Sequence, residues 1–565
     1  MARMVVLLWF TVFFPCFLNA QSLQAPDFMA PVDLDIYLSG TFGELRADHF
    51  HSGIDIKTRE ETGHKLKMIS NGYISRIKIT PAGYGKAVYV TLKNGYTAVY
   101  GHLDHFNRTI EKYVRTLQFQ KQSYEIDVTI EPYELYYLKG DIIAYSGNSG
   151  YSFGPHLHFE IRETDTQRPV NPLLFGFNVK DRIPPVIESL KIYNHSGIVP
   201  ADSMLILRKS KSGYRLSHTD TIFWPSGFSF GVAAYDLLDG AANHNGIYSL
   251  AVQRNDSLVL CWKADYFSFS ESRFINSLID YREYVHTKRR FIKTRKDPFN
   301  ELTLYKKIEN NGIFYLTQGK TDKFQIEVSD LAGNISLVSF YVTADSNIRL
   351  QTPVYDIDTL LTPFQKISCK KDNLIVSFPE KATYDTIPFW VMPLLKEQNL
   401  PAFQIGYDEF PVHRYYSFYY DSLNISDSLK SKLVWTLRED DGFSYVTTRH
   451  KDGNVMAYAR EFGDFHLQLD TIAPKIKWLN LHSGDTLTPG TKRIKANITD
   501  NLSEIASYDL FVNDKWVIGA YNSKNDELEY IIDKHLKKNK NKLQLVVTDG
   551  VGNRSESTIT ISYFD

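Results

Sequence analysis

Gly154-Pro155-His156-Leu157-His158-Phe159-Glu160-Ile161 alternates from His156 onward between polar and apolar side chains, and this alternation decides how the surrounding region folds. In a strand, residues i and i+2 face the same way. The segment is therefore read as a strand that sends Leu157 and Phe159 into a core and projects His156 and His158 from the opposite face. Working outward, Ile142-Ile143-Ala144-Tyr145 reads as a second strand and runs into the glycine turn Ser146-Gly147-Asn148-Ser149-Gly150. Ala87-Val88-Tyr89-Val90-Thr91-Leu92 and Thr97-Ala98-Val99-Tyr100-Gly101-His102-Leu103 flank Asn94-Gly95, a strong hairpin turn signal. Short strands punctuated by glycine turns continue from about residue 40 to 177, so this part of a mainly β chain is expected to be an antiparallel sheet.

Two imidazoles two residues apart also occur on ordinary surface strands. His51-Ser52-Gly53-Ile54-Asp55, with Phe50 before it, changes the balance. Neutral imidazole and carboxylate are proper zinc donors, and three of them leave a fourth position for water, as a catalytic site requires. Gly53 is expected to let the backbone bend so that His51 and Asp55 converge.

The ordered set His51-x-Gly53-x-Asp55, then Gly101-His102-Leu103, then Gly154-x-His156-Leu157-His158-Phe159-Glu160 resembles the lysostaphin-type zinc peptidases, also called LytM-like or M23 peptidases. The resemblance covers roughly residues 40–175, under a third of the chain. It implies one zinc ion per chain held by His51, Asp55 and His158, with His102 and His156 as catalytic histidines that orient water and stabilise the oxyanion. None of these five residues is substituted, which speaks for an active enzyme. The substrate it implies is peptidoglycan, cut in its stem peptides or cross-bridges; D-alanyl cross-links are favoured over glycine bridges. The alternative is a non-catalytic envelope protein that binds peptidoglycan or activates a partner amidase. His49 lies two residues before His51, but lacks the Gly and Asp that complete the motif. His64 and His105 are expected at the surface. Glu160 shares the face of His156 and His158 and is read as a salt-bridged carboxylate or one that supports a ligand from behind.

The segment 105–138 interrupts the route from His102 to the glycine turn. Asn107 is a reasonable N-cap, and Ile110, Val114 and Leu117 recur at helical spacing. Tyr124-Glu125-Ile126-Asp127-Val128 then alternates like a strand. A short amphipathic helix and a strand are expected, forming one wall of the substrate groove; the alternative is a stabilising insertion far from substrate.

Beyond this region two junctions repeat: Asp181-Arg182-Ile183-Pro184-Pro185 and Asp470-Thr471-Ile472-Ala473-Pro474. Two strand-turn-strand segments repeat with them, one reaching Asp330 and Gly333-Asn334, the other Asp549 and Gly552-Asn553. These pairs resemble bacterial immunoglobulin-like modules, which are β-sandwiches. The expected division is a signal peptide over 1–20, the peptidase-like region over 21–180, an immunoglobulin-like module with an insertion over 181–345, a β-rich module over 346–469 and a second immunoglobulin-like module over 470–565. Residues 271–296 are polar and basic and are read as that insertion, with Leu374-Ile375-Val376 as strand core in the third unit. With no reactive cluster, the later modules are assigned spacing or docking to an envelope partner, and residues 185–565 are expected to be dispensable for cutting small peptides.

At the N-terminus, Arg3 precedes an apolar run over 4–18, and Leu18-Asn19-Ala20 offers a cleavage site before Gln21. This reads as export to the periplasm or cell envelope; a membrane anchor is the alternative, and Pro15 disfavours a lipoprotein at Cys16. After cleavage only Cys261 and Cys369 remain, too few for a disulfide framework. They either pair or stay as two buried thiols. The 64 Lys and Arg against 65 Asp and Glu leave a net charge of -1, so nucleic acid is not an expected partner.

Overall fold

The computed structural model describes residues 27–564 apart from 212, 396–398, 424, 452 and 489. The signal-peptide reading therefore lies outside the described residues. Strands make up 46% of the described residues and helices 8%, so the class is mainly β, built from successive, mostly antiparallel sheets. Among the described residues no helix is long and apolar enough to cross a membrane.

The sheet that carries the histidine motifs has seven strands on its main path. In spatial order they are Leu38–Gly40, Ile54–Lys57, His156–Glu163, Tyr96–Gly101, Lys86–Leu92, Gly72–Ile79 and Ile126–Thr129, and every neighbouring pair is antiparallel. The Asn94-Gly95 hairpin forms as read, with Gly95 at φ 82°. Leu157 and Phe159 are fully buried in the core below the sheet, with Ile54, Ile56 and Tyr100. A period of two then leaves His156 and His158 on the opposite face.

The segment 105–138 contains the helix Arg108–Lys121, capped by the Asn107 side chain, which accepts from the Ile110 amide. Ile110 and Val114 are buried in the core, and Leu117 packs against it. The strand Ile126–Thr129 extends the sheet at its edge. On its outer side the helix meets the last module, and Glu111, Val114 and Arg115 line a pocket there with Tyr530 and Asp533. Arg115 pairs with Asp533 at 3.1 Å, and Phe119 packs on Trp516 and His535. The helix is thus a support for the last module.

The later units are β-sandwich-like, with an apolar core for each in chain order. Residues 271–296 include a 3-10 turn and two short helices, Ile275–Leu278 and Tyr281–Thr287, and Phe274, Ile275 and Leu278 belong to the core of their unit. Leu374–Phe378 is a strand. Cys261 and Cys369 sit in different units and form no disulfide.

The cores are not independent. Phe42 and Phe50, from the histidine-bearing region, belong to the core of the unit that follows it. Phe50 is 1% exposed, lies 5.4 Å from Phe267 between ring centroids, and donates its amide to Ser272 Oγ at 3.0 Å. Burying a Phe side chain is worth roughly 1.5–3 kcal/mol, and Phe50 directly precedes His51. A chain cut after residue 180 is therefore expected to lose thermal stability and metal together, contrary to the dispensability read from the motifs. Melting temperature and zinc content of that fragment check this; a fragment that melts like the full chain and holds metal would contradict it.

Candidate metal centre

The register of the sheet assembles the centre. His158 stands opposite Asp55 on one neighbouring strand and opposite Gly101 on the other. Directly opposed residues hold their Cβ atoms about 4.5–5.5 Å apart, so Asp55 and His158 meet without any loop rearrangement. His51 comes from the turn that enters the Asp55 strand. Its Nε2 lies 3.1 Å from Asp55 Oδ1 and 3.1 Å from His158 Nδ1, while His158 Nδ1 lies 2.9 Å from Asp55 Oδ1. These three residues, each of them buried, form a candidate metal-binding triad.

The packing reason for Gly53 differs from the expected bend. A Cβ there would come within 2.4 Å of the Phe159 carbonyl and 2.8 Å of Glu160 Cγ. Glycine lets the His51 turn press against the strand that carries His158.

Acceptors behind the rings decide which nitrogen is bare. His51 Nδ1 donates to the Thr41 carbonyl at 2.8 Å, leaving Nε2 with its lone pair toward the centre. His158 Nε2 donates to Glu160 Oε1 at 2.9 Å, leaving Nδ1 toward the centre. Two bare nitrogens and a carboxylate oxygen therefore face one another at about hydrogen-bond distance with no donor between them. That is an arrangement that calls for a cation. The His158 equilibrium shows the same pull on positive charge: burial lowers its proton affinity, but hydrogen bonds to Asp55 and Glu160 outweigh that and carry it up to about 9, so that without a metal a proton on Nδ1 takes the cation's place against Asp55. Asp55 is held well below the usual carboxylate range, since His51, His156 and His158 overcome the effect of its burial. Two nitrogens and one oxygen, each fixed by a partner behind it, fit zinc with an open position.

Glu160, only weakly readable from the sequence, is fully buried beneath the triad. Its Oε1 accepts from His158, from Ser52 Oγ at 2.8 Å and from the Tyr84 hydroxyl; its Oε2 accepts from Arg162 Nε at 2.6 Å. Burial raises its proton affinity, but Arg162 and His158 together hold it far below the ordinary value. Glu160 and Arg162 follow His158 at i+2 and i+4, so the period of two was a usable signal. Tyr84, whose ring stacks on His158 at 4.9 Å, and Arg46, whose Nη2 donates to Asp55 Oδ2 at 3.0 Å, carried none. Replacing Glu160 by glutamine is expected to weaken zinc binding by about 10–100-fold. It should also destabilise the fold by roughly 3–5 kcal/mol, by leaving Arg162 uncompensated. Chelator competition and denaturant unfolding read the two effects; unchanged zinc affinity would contradict the assigned role.

His102 and His156 stand beside the triad. His102 follows the Tyr96–Gly101 strand with φ 56°, a left-handed conformation that non-glycine residues adopt at a cost. Its Nδ1 donates to the Ser149 carbonyl at 2.8 Å, which ties it to the glycine turn. That turn interlocks with the loop at Gly85: a Cβ on Gly150, at φ 71°, would strike the Gly85 amide. His156 Nδ1 donates to the Gly154 carbonyl at 2.8 Å, and its Nε2 lies 3.5 Å from Asp55 Oδ1. The two rings are 4.8 Å apart. Burial, then the neighbouring His158 and His156, push His102 down to about 3, so it is neutral near pH 7 and its Nε2 is unprotonated. His49 is exposed and turned to Asp48, and His105 is exposed and turned to Asp104. His64 is half-buried.

No protein-family model matches the chain. A DD-carboxypeptidase/endopeptidase Mpg of Neisseria meningitidis serogroup B is 31% identical over 129 residues, which is 23% of this chain and 23% of that protein. An uncharacterized metalloprotease of Haemophilus influenzae is 30% identical over 125 residues, 22% of this chain and 20% of that one. Among solved structures, the catalytic domain of lysostaphin from Staphylococcus simulans matches 25% of this chain and 91% of its own at 23% identity and a TM-score of 0.19. The chain spans under a quarter of the length of these curated relatives. The histidine-bearing region holds a candidate His-Asp-His metal-binding triad. Triad and relatives together support a metal-dependent hydrolase.

Proposed function

We propose that the chain is a zinc metalloendopeptidase of the bacterial cell envelope that hydrolyses peptide cross-links of peptidoglycan. The observation that carries the reading is the convergence of three bare donor atoms, on His51, Asp55 and His158, beside two further imidazoles whose Nδ1 atoms are already engaged. Zinc held by the three would polarise the scissile carbonyl and acidify a water molecule in the fourth position.

The remaining work falls to this chain's own groups. His102 and His156 each keep Nε2 for a proton: one accepts it from the attacking water and, as the imidazolium so formed, passes it to the leaving amine, while the other, entering the cycle protonated at Nε2, donates to the oxyanion and keeps its proton. Glu160 and Thr41 keep His158 and His51 in the tautomers that leave donor lone pairs facing inward. The name of the Neisseria relatives, DD-carboxypeptidase/endopeptidase, supports peptide bonds between D-residues as the target. The loop that holds His156 exposes Tyr151 and Phe153 at its rim and is touched from the last module by Lys524, which donates to the Ser152 carbonyl. That module, with the others, is assigned to docking at the envelope and to shaping the approach of a cross-linked substrate.

A cross-linked stem peptide with a D-alanyl linkage tests the reading. Cleavage is expected with the zinc-loaded chain, is expected to stop on chelation and to return with zinc. A chain that holds zinc and leaves this peptide intact, yet raises the activity of an amidase, would replace the reading with the non-catalytic one.

A further inference from the structure

The two repeated junctions place the same constellation at the entrance of two modules. In the first, Asp181 comes from the junction, Asp236 directly follows the strand Phe228–Tyr235, and Asp330 directly follows Thr321–Ser329. In the last, Asp470 comes from the junction, Asp500 directly follows Arg493–Thr499, and Asp549 ends Asn539–Asp549. Within each group, one oxygen of every aspartate lies within 4.8 Å of the others. The supporting hydrogen bonds also repeat. Asn334 donates its amide and side chain to Asp330 at 2.9 and 2.8 Å, as Asn553 does to Asp549 at 2.7 and 2.7 Å. The same two side chains reach the Asp181 and Asp470 carbonyls.

A second observation is independent of the clustering. Asp236 is 3% exposed, yet its Oδ1 has no hydrogen-bond partner. Asn245, bridged to Asp236 through both backbone amides at 2.8 and 2.9 Å, is 2% exposed and leaves its Oδ1 unpartnered. In the last module Asp470 is fully buried with Oδ2 unpartnered, Asp500 Oδ1 is likewise unpartnered, and so is Ser503 Oγ. Buried polar atoms are nearly always satisfied, and those left over call for an ion or a water. Among the described residues none of the six aspartates pairs with a lysine or arginine; Arg182, next in sequence to Asp181, turns to Asp239 at 2.8 Å. Burial first, and then the neighbouring carboxylates, push Asp181 up to about 6 and Asp236 up to about 8. Three carboxylates in this space are therefore unfavourable together unless positive charge arrives.

We propose that each junction is a binding site for a hard divalent cation, calcium, held by Asp181, Asp236 and Asp330 in one module and by Asp470, Asp500 and Asp549 in the other. The donors are all oxygen, with no histidine or cysteine, which excludes a zinc-type set. Calcium accepts six to eight oxygens in irregular geometry, whereas magnesium demands a near-ideal octahedron and gives up its waters reluctantly. Ser503 Oγ, beside Asp470, extends the oxygen set of the second site. Each ion would tie the incoming chain to two strand ends of the module it enters. The first also bears on the catalytic region. Gly246, next to Asn245, exchanges hydrogen bonds with the Thr41 hydroxyl, and the Thr41 carbonyl holds His51.

Calcium added to the full zinc-loaded chain, at up to about 5 mM and thus above the roughly 0.1–1 mM affinities of extracellular modules, gives the test. Equilibrium dialysis is expected to find two calcium ions per chain, and the melting temperature to rise by about 4 °C or more. Asp236→Asn and Asp500→Asn should each retain one ion, and the double variant none and no shift. All three should fold without calcium, since the amide removes a charge and keeps the shape. No bound calcium and no shift in the unaltered chain overturns the proposal whatever the variants do. One ion per chain, lost in only one variant, overturns the pairing, and an equal response to magnesium overturns the choice of calcium.

Discussion

The His158→Ala chain is expected to hold no zinc and to turn over substrate about a thousandfold more slowly than the unaltered protein. His158 is one of three donors that all lie within 3.1 Å of one another. Without it only His51 and Asp55 remain, and two donors do not make a zinc site. Metal-ion catalysis supplies several kcal/mol, and each ~1.4 kcal/mol is tenfold in rate. The variant also leaves Glu160 without its histidine beneath the sheet, so some loss of stability should accompany the loss of metal. Elemental analysis beside a peptide assay reads both. Full zinc occupancy in the variant would contradict the assignment of His158.

His102→Ala and His156→Ala are expected to behave differently: zinc stays, and turnover falls by about a hundredfold or more in each. Both rings lie beside the triad, and neither is among its three close donors. The distinction is sharpest at His156, whose Nε2 is 3.5 Å from Asp55 Oδ1, against 2.9 Å for His158 Nδ1. Loss of zinc from His156→Ala would exchange the two roles. Unchanged turnover in His102→Ala would remove that residue from the chemistry.

What could be read from the sequence was what is local. The period of two at 156–161 gave the strand, its buried face and the pair of histidines, because alternation needs no knowledge of the partner strands. The helix over 108–121 was legible for the same reason, through Asn107 and the spacing of Ile110, Val114 and Leu117. The long-range partners were not. Tyr84 and Arg46 reach His158 and Asp55 only because the sheet brings separate loops together. Ser272, from the following unit, caps Phe50 across more than two hundred residues. Gly53 was read correctly as necessary and for the wrong reason, since the close approach it permits is visible only with the neighbouring strand in place. The junction motifs were legible as boundaries. Their clusters were not, because Asp236 and Asp500 follow strands with no motif of their own.

Mass spectrometry of the products from defined, cross-linked peptidoglycan, incubated with the zinc-loaded chain, bears most directly on the proposed chemistry. Cross-linked fragments are expected to disappear and un-cross-linked stem peptides to accumulate, each carrying one added water at the severed linkage, and neither change is expected with His158→Ala. Cross-linked fragments that persist unchanged beside fully zinc-loaded protein would contradict the assignment of this centre as a peptidoglycan endopeptidase.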